Sequence, residues 1–188
     1  MKKTLLILSI TLLGILMGSN VLGQVNNVGA ITQNLSLGMP EVSLLSASAT
    51  TVNLQLTTAT AGLAVKASVA DSSARLKISS VITSATRTLS ASVSAVPPGT
   101  SLTLQAQSPN TNFGGTQGTF LPAAALPTTG TTNIITGIGS CYSGIASDDG
   151  YHLKYTWALL DPASNYAAVR ATGAGTTVVV TLTISAAI

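Results

Sequence analysis

Thr177-Val178-Val179-Val180-Thr181-Leu182-Thr183-Ile184-Ser185 places Val178, Val180, Leu182 and Ile184 at every second position, with Thr177, Val179, Thr181 and Thr183 between them. Successive side chains of an extended chain point to opposite faces, so this stretch predicts a strand with one apolar face and one rich in hydroxyls. Val, Ile and Thr are branched at Cβ and fit a pleated surface better than a helix. The same period recurs upstream. Val52, Leu54 and Leu56 alternate with Asn53, Gln55 and Thr57; Leu63, Val65, Ala67 and Val69 with Ala64, Lys66 and Ser68; Leu76 and Ile78 with Arg75, Lys77 and Ser79. Leu89, Ala91 and Val93 alternate with serines, Leu102, Leu104 and Ala106 with Thr103 and Gln105, and Tyr151, Leu153, Tyr155 and Trp157 share one face of a further run.

Between these runs lie breakers. Val96-Pro97-Pro98-Gly99-Thr100 predicts a tight connection, because proline fixes φ and lacks a donor. Residues 108–118 predict a long loop, 122–132 an Ala/Pro/Thr/Gly connection with room for one helical turn at 123–126, and Ser147-Asp148-Asp149-Gly150 a turn. Short strands at spacings near ten residues predict an all-β chain, a single antiparallel immunoglobulin-like β-sandwich of about eight to ten strands.

Composition narrows the function. Of 188 residues, 46 % are hydrophobic, 4 % aromatic and 7 % charged, against about a quarter charged in an ordinary soluble domain. From Gln24 onward there are 25 Thr and 20 Ser, so hydroxyls supply the missing polarity. Little charge argues against disorder driven by self-repulsion and against nucleic acid as a partner, which requires a basic face.

The first 23 residues predict a secretory signal peptide: Lys2 and Lys3, an apolar run to Met17, then small and polar residues ending at Gly23. The run of about 14 residues is shorter than the roughly 20 a membrane-spanning helix needs, so no membrane span is expected in the mature chain. Without the leader, six basic and five acidic side chains remain, a net charge of +1, which supports no electrostatic partner. A single cysteine, Cys141, allows no intramolecular disulfide, so apolar burial and sheet hydrogen bonds must hold the fold. The start resembles that of bacterial exported chains, which implies passage through the periplasm to the cell surface or beyond. The expected division is a signal peptide at 1–23, an N-terminal arm or first strand at 24–39, and the sandwich at 40–188.

The arm carries the sharpest functional clue. Ile31, Leu35, Leu37 and Met39 fall on one face of an extended chain, interrupted by Gln33, while Thr32, Asn34, Ser36 and Gly38 fall on the other, and Pro40 ends the run. This is either the first strand of the molecule's own sandwich or a strand that adds to a neighbour by β-augmentation. A charge-poor, hydroxyl-rich β domain with an alternating arm and an alternating C-terminal strand resembles the chaperone–usher pilins and spore-coat-U-like subunits. That resemblance implies a fimbrial structural subunit whose partners are like subunits joined by strand addition, held before assembly by a periplasmic chaperone. The chain departs from those families in lacking a disulfide and in having Ala187, not tyrosine, next to its end.

No catalytic constellation is predicted, nor any cofactor or metal. Cys141 and His152 are the sole residues of their kinds, and a nucleophile–base pair would need a third orienting group. Ile138-Gly139-Ser140-Cys141-Tyr142-Ser143-Gly144 does not match the nucleophile elbow. Asp148 and Asp149 adjoin Gly150, where a calcium site would need six or more oxygens; a turn is the simpler reading. Tyr151, Tyr155 and Trp157 on one strand face are either a core layer or an exposed platform for stacking on a glycan, which would make the chain a secreted monomeric binding or adhesion module.

Overall fold

A computed structural model of the chain describes residues 29, 31–48, 51–57, 60–172 and 176–185. The expected signal peptide lies outside the described residues. The chain divides into a unit at Met1–Gly38 and a unit at Met39–Ile188. In the first, residues 31–38 are exposed and contain no strand. The second is an all-β sandwich of two antiparallel sheets.

One sheet contains β1 (Val42–Ala47), β2 (Ser68–Val81), β4 (Thr100–Gln107), β5 (Gly114–Gly115), β7 (Ala124–Ala125), β9 (Cys141–Tyr142) and β10 (Tyr151–Leu159), in the order β5-β9-β2-β10-β4-β7, with β1 on β2 as well. The other contains β3 (Arg87–Val93), β6 (Thr119–Phe120), β8 (Thr132–Ile138) and β11 (Val180–Ser185), in the order β11-β3-β8-β6. The core between them is made by the alternating positions: Leu76 and Ile78 of β2, Leu89, Ala91 and Val93 of β3, Leu102, Leu104 and Ala106 of β4, and Tyr151 and Leu153 of β10 are all buried. Ile134, Ile135 and Ile138 of β8 complete it.

Three expectations are corrected. The runs at 63–69 and 75–79 are not two strands: β2 begins at Ser68 and is continuous to Val81, and Leu63 is exposed outside it. The pairing with β10 shifts register, Leu153 standing opposite Ala74 but Tyr155 opposite Asp71. Ser72 and Ser73 therefore face the single residue Lys154, a β-bulge. One extra residue inverts the alternation, so Val69, opposite Trp157, and the even-numbered Ala74, Leu76 and Ile78 share the inner face. Second, residues 123–126 form no helical turn. Ala124 and Ala125 pair with β4 as β7, and Leu126 N–H donates to Leu102 C=O at 2.9 Å, burying Leu126; a ladder and a buried leucine outweigh the helix propensity of alanine. Among the described residues the one α-helix is α1 (Pro162–Asn165), started by Asp161 as N-cap with proline in its first turn. Third, residues 51–57 belong to no strand.

Candidate functional site at the open side of the sandwich

β1 pairs only with β2, and β11 only with β3, among the described residues. Each therefore ends its sheet with an unpaired backbone edge. Register shows which side chains look inward there. Leu45 stands opposite Ile78 and Ala47 opposite Leu76, so both face the interior; Val180, Leu182 and Ile184 stand opposite Val93, Ala91 and Leu89 and do the same. Their partners are fully covered, yet Leu45, Val180, Leu182 and Ile184 are only half-buried. The two sheets do not close at this side. A cleft of about 240 Å³ opens between them, lined by Leu45, Ser46, Ala47, Leu76, Val180 and Leu182. Apolar walls flanked by free N–H and C=O groups are what an added strand requires: the edges supply main-chain hydrogen bonds and the cleft takes alternate side chains.

The chain also carries a segment of that description. Ile31, Leu35, Leu37 and Met39 are 94, 73, 90 and 81 % exposed, an unusual state for four large apolar side chains in one short run. Beyond Pro40, Glu41 is tied to the sandwich: its carboxylate accepts from Thr83 N–H at 3.0 Å and meets the buried Arg87 guanidinium at 3.5 Å. Those hydrogen bonds from Thr83, helped by the Arg87 charge, hold the Glu41 carboxyl below its ordinary range. Residues 31–39 themselves lie in no strand.

The other sequence-nominated residues lie elsewhere. Tyr151 is 0 % exposed; its ring packs on Phe113 at 5.2 Å and edge-on to Phe120 at 5.7 Å, and its hydroxyl donates to Gln117 C=O at 2.8 Å. Tyr155 and Trp157 stand opposite Leu104 and Leu102, on the inner face, half-buried against the core. The trio is a core layer. Cys141 is buried, and burial pushes its thiol up to about 11, far from the reactive thiolate range. His152 occupies β10 opposite Arg75 and Gln107. The two sit on different strands, β9 and β10, and among the described residues His152 Nε2 is buried without a hydrogen-bond partner.

Asp148 and Asp149 are a structural knot. Asp148 pairs with Arg75 at 2.7 Å. Asp149 accepts from the Asn110 and Asn112 side-chain amides at 3.1 and 2.8 Å and from Ala146 N–H at 2.7 Å; those bonds, from Asn112 first, depress its carboxyl. A carboxylate so satisfied staples two loops together. Among the described residues no three His, Cys, Asp or Glu side chains cluster as metal ligands, and no helix is long and apolar enough to cross a membrane. A second groove, of about 450 Å³, lies between Val42, Val81, Gly114, Gly115 and Tyr142; its only titratable groups are Tyr142 and the Cys141 thiol.

Sequence reasoning found β11 but missed β1 and β8, and the strand that the spacing allowed at residues 31–39 is not formed. Val42-Ser43-Leu44-Leu45-Ser46-Ala47 and Asn133-Ile134-Ile135-Thr136-Gly137-Ile138 each carry two apolar residues in succession, which masks period 2; the remaining signal was β-branched content in β8 and, for β1, only the preceding Pro40. No protein-family model, curated protein or solved structure matches the chain.

Proposed function

We propose that this chain is an exported, non-enzymatic structural subunit of a bacterial surface fibre or extracellular matrix, assembled by strand exchange: the arm at 31–39 of one copy lies as an added strand in the cleft between β1 and β11 of the next. The observation that carries this reading is the pairing of an open apolar seam between two free strand edges with an exposed, alternating apolar arm on the same chain. A head-to-tail contact of this kind is heterologous and does not close on itself, so it propagates as a filament. Before assembly the exposed seam needs a temporary cover, which is the part a periplasmic chaperone would take. The glycan-platform alternative is less favoured, because Tyr151 is buried and Tyr155 and Trp157 are half-buried against the core.

Deleting residues 24–39 tests the reading. Light scattering should find the mature chain in multimers and the truncated chain as a monomer that captures a synthetic peptide of residues 24–40. Multimers of normal size from the truncated chain would refute strand exchange through this arm.

A further inference from the structure

We infer that Pro40 and Gln33 deny the arm a usable register in the cleft of its own chain and so confine its addition to a second copy; this rests on the strand-exchange reading above. Only Pro40 and Glu41 join residues 31–39 to β1, which starts at Val42. To lie along the open edge of its own β1, the arm would have to reverse within that link and run antiparallel to β1. The main-chain groups it would meet follow from the ladder of β1 with β2. Ser48 N–H donates to Arg75 C=O at 2.8 Å, in line with the register that sets Ala47 opposite Leu76. Bonded and non-bonded pairs alternate along an antiparallel ladder, so Ser46, Leu44 and Val42 turn their main-chain groups to β2. Those of Ser43, Leu45 and Ala47 face the open edge, and Leu45 and Ala47 also point their side chains inward.

A hairpin made within one chain has few registers, each fixed by its loop. With Pro40 and Glu41 as a two-residue turn, Gly38 falls opposite Ser43, Ser36 opposite Leu45 and Asn34 opposite Ala47. The polar face of the arm then enters the cleft. Such turns also require a positive φ at their first residue, whereas proline is held near about −65°. One residue more puts Leu37 opposite Ser43 and Leu35 opposite Leu45, but Gln33 opposite Ala47. That three-residue turn places Pro40 second in a type I turn, where proline is disfavoured, and Glu41 in the left-handed region. Among the described residues only glycines have a positive φ. A four-residue loop returns the polar face, with Asn34 opposite Leu45, and a five-residue loop brings Gln33 opposite Leu45 and Ile31 opposite Ala47. In none of the four do Leu37 and Met39 reach Leu45 and Ala47, and in each a polar side chain enters between the sheets.

A second copy is free of both restraints. No loop ties its arm to the acceptor's β1, so fit alone chooses the register. Leu35 with Leu37, or Leu37 with Met39, can then stand level with Leu45 and Ala47, and Gln33 falls beyond them. The difference is large because a slip of one residue exchanges the two faces of a strand, and an amide buried without a partner is unfavourable. A link that cannot turn back leaves exchange between copies as the route by which the seam is filled. Pro40 and Gln33 thus select the partner: another subunit of the same kind, never the arm's own sandwich.

The test inserts a Gly/Ser linker of about eight residues between Met39 and Pro40, which frees the register within one chain. Closure within the chain then acts at an effective concentration of about millimolar. At about micromolar protein, where the mature chain forms multimers, the linker variant should scatter light as a monomer. Its capture of a fluorescent 24–40 peptide should fall at least about a hundredfold below that of the chain lacking residues 24–39. The linker variant without residues 24–39 should capture the peptide normally, which shows that the acceptor is folded and that the attached arm blocks it. Multimers of native size from the full linker variant, or undiminished capture by it, would overturn the inference. Failure of the linker-free chain lacking residues 24–39 to capture the peptide would overturn strand exchange itself, and the inference with it.

Discussion

Asp149 shows how one side chain can hold a loop system without chemistry. Its two oxygens take three donors from Asn110, Asn112 and Ala146, so the ionised form is favoured in the folded state and its carboxyl lies below the ordinary value of 3.8. Asp71, bonded by Ser73, and Asp161, bonded by Ser164 and Ala163, are depressed in the same direction. A folded-state pKa below the unfolded one means that the unfolded chain binds protons first as pH falls. Stability should be level above about pH 5, then decline through the range below pH 4 as these carboxylates protonate. Asp149→Asn should lower the melting temperature at neutral pH, since an amide cannot accept from all three donors, and should flatten the acid limb of the melting-temperature profile. An unchanged acid limb would show that other carboxylates govern it. Cys141 behaves oppositely. Its thiol is raised by burial to about 11, so its contribution is present below the ordinary 9.0 and lost as pH rises through 11. Labelling by a thiol reagent at pH 8 should occur only at the rate of opening or unfolding, and urea should accelerate it in step with loss of structure.

At the scale of the element, β2 separates what the residues announce from what they hide. Leu76-Lys77-Ile78 and Ala67-Ser68-Val69 each alternate cleanly, but on opposite parities, and a reader of periodicity alone sees two strands. The bulge at Ser72 and Ser73 reconciles them in one strand of 14 residues. No local pattern marks it, because the reason for it lies on β10, whose Tyr155 and Trp157 must share an inner face with Leu153. β3, β4, β10 and β11 were legible because each keeps one parity throughout. The open side was half legible: the arm's apolar face can be read from spacing, whereas the cleft depends on which strands end each sheet, which is tertiary information. Deleting Ser72 should therefore cost far more than its small size implies. It returns β2 to strict alternation and turns either Val69 or the Ala74, Leu76 and Ile78 set to solvent, a loss of about 3–5 kcal/mol on the scale of a deleted core side chain. Ser72→Ala, which keeps the residue count, should fall within about 0.5 kcal/mol. Urea midpoints of the two variants decide it; equal midpoints would mean that the bulge is incidental.

At the scale of the whole sandwich, the same feature limits stability and carries the proposed function. Leu89, Leu104, Ile135 and Tyr151 are sealed, while Val180, Leu182 and Leu45 line an unclosed side. A sandwich optimised as a monomer would cover that side or blunt it with charge; among the cleft residues there is no charged side chain. Leu182→Glu separates the two demands. The side chain is half-buried and borders solvent, so its replacement should cost at most about 1–2 kcal/mol, below the range of a sealed leucine. In the cleft the carboxylate would meet the apolar residues of an incoming arm and be buried without a partner, which is strongly unfavourable. Assembly should therefore collapse while the monomer still unfolds cooperatively, and capture of the 24–40 peptide should fall by at least about a hundredfold, the equivalent of roughly 3 kcal/mol. Thr183→Glu, one residue along β11 and on its outer, exposed face, is the matched control and should leave capture within about threefold. Were both substitutions to weaken capture equally, charge on the strand as a whole would be responsible and the cleft would lose its standing as the acceptor.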